Sequence, residues 1–373
     1  MPINKSSGTI TADEIRDEFG PTGTVSFDDY RVSETHGSLS GMPLDKLAGA
    51  NQDKNIPSSG AIAFSDFYNS RLNVVVKVSQ DDVTATDVYD NNNSTKVKVV
   101  GGLRSRPSKS NTGGRRVYIN VNTELESPEN HQDHKQRCTL RTGEWVNGQF
   151  NNNVGTGTSL SVDIGSSGKI YGAGGRGGNG ATGTGTGNPG QDGSSALGIE
   201  FGAANNKVFI NNAGYLQAGY GGGGGGGGGY DDPNKEGHDY ENAGAGGGGG
   251  AGKIYGEGGA GAEAWSGHEG ANGSEGDAED GGDGGGASGY SGSSEKGSGN
   301  EGSGGAGGEG GGVGSPATNG TAASGNSIGN GGGGAAGESG WAILNENASN
   351  CITVTGSGTV ADNKIQHNTN PED

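Results

Sequence analysis

Two histidines and a cysteine lie close together in a polar segment and have the side-chain types that bind zinc. His131, His134 and Cys138 follow one another as His-x-x-His-x-x-x-Cys. A structural zinc site takes four ligands, but no fourth ligand lies nearby and the segment has the composition of a loop. The other cysteine, Cys351, is too distant in sequence to indicate a metal site or a disulfide framework. We therefore expect two free thiols and no bound metal.

A glycine motif later in the chain matches a phosphate-binding loop except at its last position. Gly247, Gly252 and Lys253 have the required spacing, but Ile254 stands where the motif needs a metal-binding Ser or Thr. No alternation of strands and helices surrounds the motif, and a region so rich in glycine produces such matches by chance. We expect no nucleotide and no other cofactor.

Carboxylates are dense around the same region. Residues 231–310 contain 16 Asp or Glu against three Lys, and Asp277, Glu279, Asp280 and Asp283 are close enough in sequence to attract a divalent cation. We expect a solvated acidic loop, and loose cation binding stays the alternative. Paired carboxylates alone do not indicate glycosidase chemistry in an acidic protein. No catalytic set is visible, and we expect a protein that is not an enzyme.

The composition explains why these side chains cannot belong to an ordinary globular domain. Of 373 residues, 86 are glycine and only 27% are hydrophobic, and the formal net charge is −19. A single conventional core of that size is therefore excluded. The acidity argues against a nucleic-acid partner, and no apolar run is long enough to insert into a membrane. The N-terminus lacks the apolar stretch of a secretion signal, so a soluble cytosolic product is expected.

A short unit recurs three times in residues 1–70, at 8–15, 23–30 and 60–67. Each copy places a glycine before a β-prone pair and then acidic residues suited to a first helical turn. We predict a small α+β module that attaches the protein to a partner, the alternative being a folded cap with no partner. The apolar residues that would pack in it or onto the partner are Ile15, Phe19, Phe27, Tyr30, Phe64, Phe67 and Tyr68.

Residues 71–165 have a different pattern, with β-forming runs at 72–78, 96–100, 116–121 and 160–164 separated by polar turn residues. They predict a small all-β domain. A last β segment, 351–355, falls in a C-terminal part that we place at 346–373.

Residues 166–345 contain most of the glycine. Flexible linkers are Gly/Ser mixtures without apolar residues, whereas these tracts end in Ile, Tyr, Leu, Trp or Ala. The polyglycine II helix has three residues per turn and no internal hydrogen bonds, so its peptide groups can bond to neighbouring helices. The tract 221–229 would form three turns that neighbours could surround on all sides. The fold class predicted is therefore mainly β with a packed bundle of polyglycine II helices, a small α+β N-terminal module and little regular helix.

The glycine repeats resemble a known family. The segments 170–180, 208–214 and 221–230 are similar to the receptor-recognising adhesins at the tips of the long tail fibres of T-even-like phages, and to glycine-rich tail proteins of marine cyanophages. The resemblance covers about 160–345, while 59–68 resembles the opening of cyanophage structural proteins. Residues 1–70 do not match the tryptophan-containing attachment domain of the T-even adhesins, which leaves the attachment partner open.

The resemblance implies a bundle of polyglycine helices with loops that touch a receptor on the host surface. Applied to this sequence, it implies tracts at 172–180, 219–229, 244–252, 256–261, 281–286, 302–314 and 329–340. The implied loops are 230–242, 262–280 and 287–301. Aromatic side chains give large contact areas at low entropic cost, so we expect receptor contacts from Tyr230, Tyr240, Trp265, His268 and Tyr290.

The function expected from these features is that of a non-enzymatic tail-fibre adhesin located in the virion. Its partners would be a host surface protein or polysaccharide and other subunits of the tail fibre or virion. A purely structural virion protein, such as a tail or capsid decoration, is the first alternative. An ice-binding or cell-wall glycine-rich protein and a polysaccharide depolymerase are further alternatives.

Overall fold

The structure is a computed structural model, and the residues that it describes form sixteen separate segments. They are 7–19, 26, 60–68, 74–78, 98–99, 117–127, 138–142, 159–199, 207–230, 241–242, 244–263, 269–287, 304–324, 331–345, 352–363 and 365–367.

The N-terminal residues contain one short helix, α1, over Ala12–Phe19. Its start is fixed by a capping box, in which the Glu14 amide donates to the Thr11 hydroxyl and the Thr11 amide donates to the Glu14 carboxylate. Ile15 of this helix is buried.

A one-turn 3-10 helix covers Phe64–Phe67. Phe67 is buried, whereas Phe64 is 41% exposed, and the Tyr68 hydroxyl donates to the carbonyl of Gly8. The two ends of the predicted attachment module are therefore joined. Phe27 and Tyr30 lie outside the described residues, and Phe19 is described only through its backbone.

Strands dominate the rest of the regular structure, so the prediction of a mainly β fold with little helix is confirmed. They are β1 (Val74–Val78), β2 (Lys98–Val99), β3 (Val117–Val121), β4 (Glu124–Glu126), β5 (Cys138–Arg141), β6 (Ser159–Ile164), β7 (Lys169–Tyr171), β8 (Ser195–Ile199), β9 (Lys207–Asn212), β10 (Tyr215–Gln217), β11 (Gly229–Tyr230), β12 (Glu241–Asn242), β13 (Ile343–Asn345), β14 (Ile352–Thr355), β15 (Thr359–Val360) and β16 (Ile365–His367).

Three sheets are built from strands that recur in a fixed order along the chain. The first has the order β2-β1-β3-β6-β9-β14, the second β4-β7-β10-β15 and the third β5-β8-β13-β16. Apart from β2, neighbouring strands in these sheets are parallel. Each circuit of the chain from β3 to β16 therefore adds one strand to each sheet, which makes this part a three-faced parallel β-solenoid of four circuits.

Aliphatic side chains stack in register between the circuits and fill the space enclosed by the three sheets. One column comes from each sheet, and all three belong to one apolar cluster. The columns are Ile119, Val162, Ile210 and Val354 in the first sheet, Leu125, Ile170, Leu216 and Val360 in the second, and Leu140, Leu197, Ile343 and Ile365 in the third.

In this arrangement, the segments that were separated by composition contribute strands to the same sheets. The strands of 71–165, of 166–345 and of 346–373 alternate within the same sheets. The four-part division therefore stays a prediction about folding units, and its boundaries at 165 and 345 do not separate sheets.

The glycine-rich residues are insertions at one corner of the solenoid, between the second and third sheets. They fill 172–194 in the second circuit and most of 218–342 in the third. We number their extended tracts in chain order. Tracts 1 to 10 are 172–181, 187–194, 219–228, 244–252, 254–262, 269–277, 281–287, 304–312, 316–323 and 331–340.

The tracts pack side by side through backbone hydrogen bonds that repeat every third residue. The amides of Gly219, Gly222 and Gly225 in tract 3 all donate to tract 2. Intervening amides of tract 3 donate to tracts 4 and 9, because each successive peptide group turns to a different side. We call this assembly the glycine bundle.

Two tracts occupy the centre of the glycine bundle. Tract 3 exchanges backbone hydrogen bonds with tracts 1, 2, 4, 8, 9 and 10, and tract 4 with tracts 1, 3, 5, 6, 7 and 8. The other eight tracts form a ring around this pair. Six neighbours are possible because the central tracts carry almost no side chains.

Three tracts were missed by the sequence analysis. Tracts 2 and 6 contain glycine only at every third position, and tract 9 contains the single glycine Gly320, so all three lack the dense glycine runs on which the prediction depended. The expectation that all of 262–280 forms an exposed loop is wrong, because 269–277 is tract 6 and donates hydrogen bonds to tracts 5 and 7.

Candidate recognition surface

Successive tracts of the glycine bundle run in opposite directions. Tracts 1 and 3 leave the solenoid from β7 and β10, and tracts 2 and 10 return to β8 and β13. Tract 1 is parallel to tract 3, since the amides of Gly175 and Gly178 donate to Tyr220 and Gly223 in ascending order. Tract 2 is antiparallel to tract 3, because the residues of tract 2 that accept from tract 3 follow in descending order. The same comparison for all ten tracts shows that odd-numbered tracts run away from the solenoid and even-numbered tracts run back toward it.

The alternation places five chain connections at one end of the bundle, away from the strands. We call it the distal end. The chain leaves and re-enters there between 181 and 187, 230 and 241, 263 and 269, 287 and 304, and 324 and 331.

The second of these connections arises from the middle of the distal end, because it joins the two central tracts. Its base is a two-stranded antiparallel ribbon in which Gly229 faces Asn242 and Tyr230 faces Glu241. The four other connections join outer tracts, so their described ends lie around this central ribbon.

The structure places the predicted receptor-contact residues as follows. Tyr230 is the last residue of β11, at the distal end, and only its backbone is described. Tyr240, Trp265, His268 and Tyr290 lie outside the described residues. In sequence, each falls between two described residues of the distal end. The segments that contain these residues therefore begin and end at the distal end of the bundle.

Two of the five distal connections, 181–187 and 324–331, were not anticipated from the sequence. The turn between tracts 1 and 2 exposes Thr182, Thr184 and Thr186. The Gly185 amide donates to the carbonyl of Thr182 at 3.0 Å, and Gly183 has a φ of +57°, which glycine adopts readily. The alternating Thr-Gly pattern of 182–187 was the available sequence signal.

The close packing of the central tracts leaves no room for a side chain at most positions. A Cβ atom on Gly224 of tract 3 would lie 2.0 Å from the carbonyl oxygen of Gly334. At Gly286 of tract 7, in contrast, no atom lies within 4 Å of the added Cβ. The glycine run is therefore required by packing at the centre of the bundle and is dispensable at that outer position.

In the outer ring, where tracts have fewer backbone neighbours, short polar side chains accept hydrogen bonds from the amides of adjacent tracts. Asn179 accepts the Ala260 amide at 2.9 Å, and Asn272 accepts the Gly261 amide at 2.8 Å. Among the described residues, such bonds join seven of the eight neighbouring pairs of outer tracts. The acceptors are Asn179, Asp192, Ser194, Asn272, Ser274, Thr318, Asn319 and Thr321.

The end of the bundle nearest the strands rests on the second sheet. Lys253, in the turn between tracts 4 and 5, lies 2.8 Å from a carboxylate oxygen of Glu124 in β4. Lys169 of β7 lies 3.3 Å from the same carboxylate. The hydrogen bond from Lys253 is the main cause that lowers the pKa of Glu124. Lys253, the lysine of the phosphate-loop match, is thus engaged in tying the bundle to the sheet.

Two further contacts tie the bundle to the solenoid, one at a turn and one within tract 3. The Gln217 side chain of β10 donates to the carbonyl of Ala278, between tracts 6 and 7, at 2.6 Å. The hydroxyl of the buried Tyr220 donates to Asp362, after β15, at 2.5 Å. Burial and this hydrogen bond raise the pKa of Tyr220 well above its usual range.

Among the acidic residues near 280, Asp277 forms hydrogen bonds within its own turn. One carboxylate oxygen of Asp277 accepts the amides of Glu279 and Asp280, at 2.8 and 2.7 Å. These backbone bonds lower the pKa of Asp277 and hold the turn between tracts 6 and 7.

A metal site is not found in the part of the chain that the structure describes, where no three His, Cys, Asp or Glu side chains are grouped suitably. His131 and His134 lie outside that part, and Cys138 is buried in β5. Within the same residues, no helix has the length and apolar character needed to cross a membrane.

Fold and surface together define a parallel β-solenoid that carries an inserted glycine bundle with a loop-bearing distal end. Neither the known protein families nor the curated proteins contain a match to this chain. Among solved structures, it is similar to the gp37–gp38 adhesin tip complex of the bacteriophage S16 long tail fibre, with 20% identity and a TM-score of 0.29. That match covers 81% of this chain and 88% of the other.

Proposed function

We propose that this protein is a phage tail-fibre adhesin whose distal connections bind a receptor on the host surface, and that its glycine tracts are polyglycine II helices. The observation that carries the proposal is the shared distal end of five connections, held by a close-packed scaffold. Binding residues commonly sit on loops that a rigid scaffold positions. Three of the connections contain the aromatic residues predicted to touch the receptor.

The polyglycine II assignment is supported by the hydrogen-bond period. That helix has three residues per turn and satisfies its peptide groups only through neighbours. The amides of tract 3 follow this rule, since Gly223 and Gly226 donate to tract 4 while Gly224 and Gly227 donate to tract 9. Circular dichroism of the isolated protein should show the left-handed extended signature in addition to β structure.

Structural roles, without catalysis, account for three of the carboxylates that the structure describes. Asp277 holds a turn, Glu124 holds Lys253, and Asp362 accepts from Tyr220. We propose that the protein has no enzymatic activity. Incubation with host polysaccharide should release no oligosaccharides, and release would favour a depolymerase instead.

The main test uses phage that carry this gene and the host that they infect. Trp265→Ala and Tyr240→Ala should each reduce adsorption by roughly fivefold or more, as expected of hot-spot aromatics. The matched control is Tyr255→Ala, because Tyr255 is 48% exposed but lies at the end of tract 5 nearest the solenoid. That variant should adsorb like the parent, and all three should form complete virions.

The alternative of a purely structural virion protein makes the opposite prediction. Replacing 231–240 by a Gly-Ser segment of equal length would then leave adsorption unchanged, because receptor contact would not involve the distal end. If this variant, Trp265→Ala and Tyr240→Ala, each tested separately, all adsorb normally, the receptor-binding proposal is contradicted.

Attachment to the virion is proposed for residues 1–70. Phe64 is the exposed aromatic of the described part of this module, so it is the first candidate for contact with another tail subunit. A chain that begins at residue 71 keeps all sixteen strands and should stay soluble but be absent from particles. Normal incorporation of that chain would show that attachment lies elsewhere.

A further inference from the structure

The glycine bundle has a register problem that its backbone cannot solve. Hydrogen bonds repeat every third residue, and the run Gly221–Gly229 offers the same groups at each repeat. A shift of one tract by three residues would re-form the same type of backbone bonds. In polyglycine II such a shift is about 9 Å, at about 3.1 Å per residue. Glycine-rich elements specify register weakly for this reason.

The groups that differ between registers are side chains, and they lie on the outer ring and at the turns. The Asn319 side chain accepts the Ala336 amide of tract 10 at 2.8 Å, and Asp192 accepts the Glu338 amide of the same tract at 2.6 Å. A three-residue shift would carry each acceptor to a different amide. These side-chain hydrogen bonds therefore form in only one of the registers that the backbone bonds permit.

We infer that the short polar side chains of the outer tracts and the polar turns determine the register of the glycine bundle. They thereby set the relative heights at which the distal connections are presented. The second statement rests on the proposed function, whereas the first does not. Asn179, Asp192, Ser194, Asn272, Ser274, Asp277, Thr318, Asn319 and Thr321 are the register-determining residues.

The hairpin of tracts 6 and 7 offers the sharpest test. Asn272 bonds this hairpin to tract 5, and Ser274 bonds its two tracts to each other. Asp277 fixes the position of the turn between them. The variant Asn272→Leu/Ser274→Ala/Asp277→Ala removes all three and leaves every glycine in place.

Register can be measured as a distance along the bundle. In a Cys351→Ser background, spin labels at Glu269 and Val313 lie at opposite ends, because Val313 donates its amide to Glu279 beside the tract 6 turn. Double electron–electron resonance on the parent should give one main distance. The triple variant should add a second distance displaced by about 9 Å, or by a multiple of it.

Two controls separate register from general weakening. Glu275→Leu/Asp283→Ala changes exposed side chains on the same tracts and should keep the single distance. Asn272→Asp keeps the accepting oxygen and should also keep it, as Asp192 does in its own place. A triple variant with only the parental distance, or with one broad distribution and no discrete displacement, would overturn the inference.

The effect of register on receptor recognition is measured separately, as adsorption to the host. If the displaced population appears, phage carrying the triple variant should adsorb less in proportion to it. A displaced register with normal adsorption would contradict the proposed receptor-binding role of the distal end and leave the register assignment standing.

Discussion

The solenoid and the glycine bundle are joined in one chain but are stabilised in opposite ways. In the solenoid, Ile119, Leu125 and Leu140 head columns of buried aliphatic side chains. In the bundle, residues 221–228 of the central tract 3 are buried without side chains, and the peptide groups of this tract bond to six neighbours. Hydrophobic burial tolerates changes in shape within limits, whereas backbone packing at this separation tolerates no added atom. The comparison teaches that the region of lowest complexity has the strictest steric demands.

The largest effect should come from one methyl group at the centre of the bundle. Gly224→Ala places a Cβ about 2 Å from a carbonyl oxygen of tract 10. Neither backbone can move without breaking the lattice, so we expect a loss of more than about 4 kcal/mol in unfolding free energy. Chemical denaturation followed by circular dichroism measures it. The matched control is Gly286→Ala, which should change stability by less than about 0.5 kcal/mol. Equal stability of both variants would contradict the close-packed centre.

The solenoid should respond to loss of volume instead. Ile170→Ala shortens a fully buried side chain between Leu125 and Leu216, and large-to-small changes of this kind cost about 2–5 kcal/mol. We expect about 3 kcal/mol from the same denaturation measurement. The exposed Thr353→Ala in β14 serves as control. A loss below about 1 kcal/mol for Ile170→Ala would mean that the columns contribute little.

The contact between the two regions should have an intermediate effect. Tyr220→Phe removes the hydroxyl that donates to Asp362 and keeps the buried ring. One hydrogen bond contributes about 1 kcal/mol, and more rapid amide exchange should appear around 361–363 and at the first residues of tract 3. Tyr255→Phe, at an exposed tyrosine, is the control. Unchanged exchange in Tyr220→Phe would show that this contact does not couple the regions.

The smallest effect should be electrostatic and dependent on pH. The pKa of Glu124 is lowered in the folded protein, mainly by Lys253. A lowered pKa stabilises the folded state above the unfolded value, near 4.5, and this stabilisation disappears as the pH falls through the folded pKa. Glu124→Gln should therefore be less stable than the parent at pH 7 by at most about 1 kcal/mol. The two proteins should converge as the pH falls below 4.5 and through the lowered pKa of the folded state, and a difference that grows on acidification would reverse the assigned sign.

The sequence by itself determined where side chains are absent and where β-forming residues alternate. It therefore predicted the mainly β class and the strands near 117–121, 160–164 and 352–355, and the family resemblance of its glycine runs implied seven of the ten tracts. The three other tracts have glycine at every third position or, in tract 9, only once, so they resemble loops in composition.

Only the tertiary structure decided how these pieces combine. Parallel pairing joins Leu160 to Val208 and Val208 to Ile352, and no local pattern encodes partners so far apart in sequence. The common distal end is equally non-local, because it follows from which tracts run parallel. Those pairings are made by backbone groups that every residue except proline carries in full, so they leave almost no mark on the sequence. The exceptions are the few Asn, Asp, Ser and Thr side chains between outer tracts, and their role became visible only when their partners were in place.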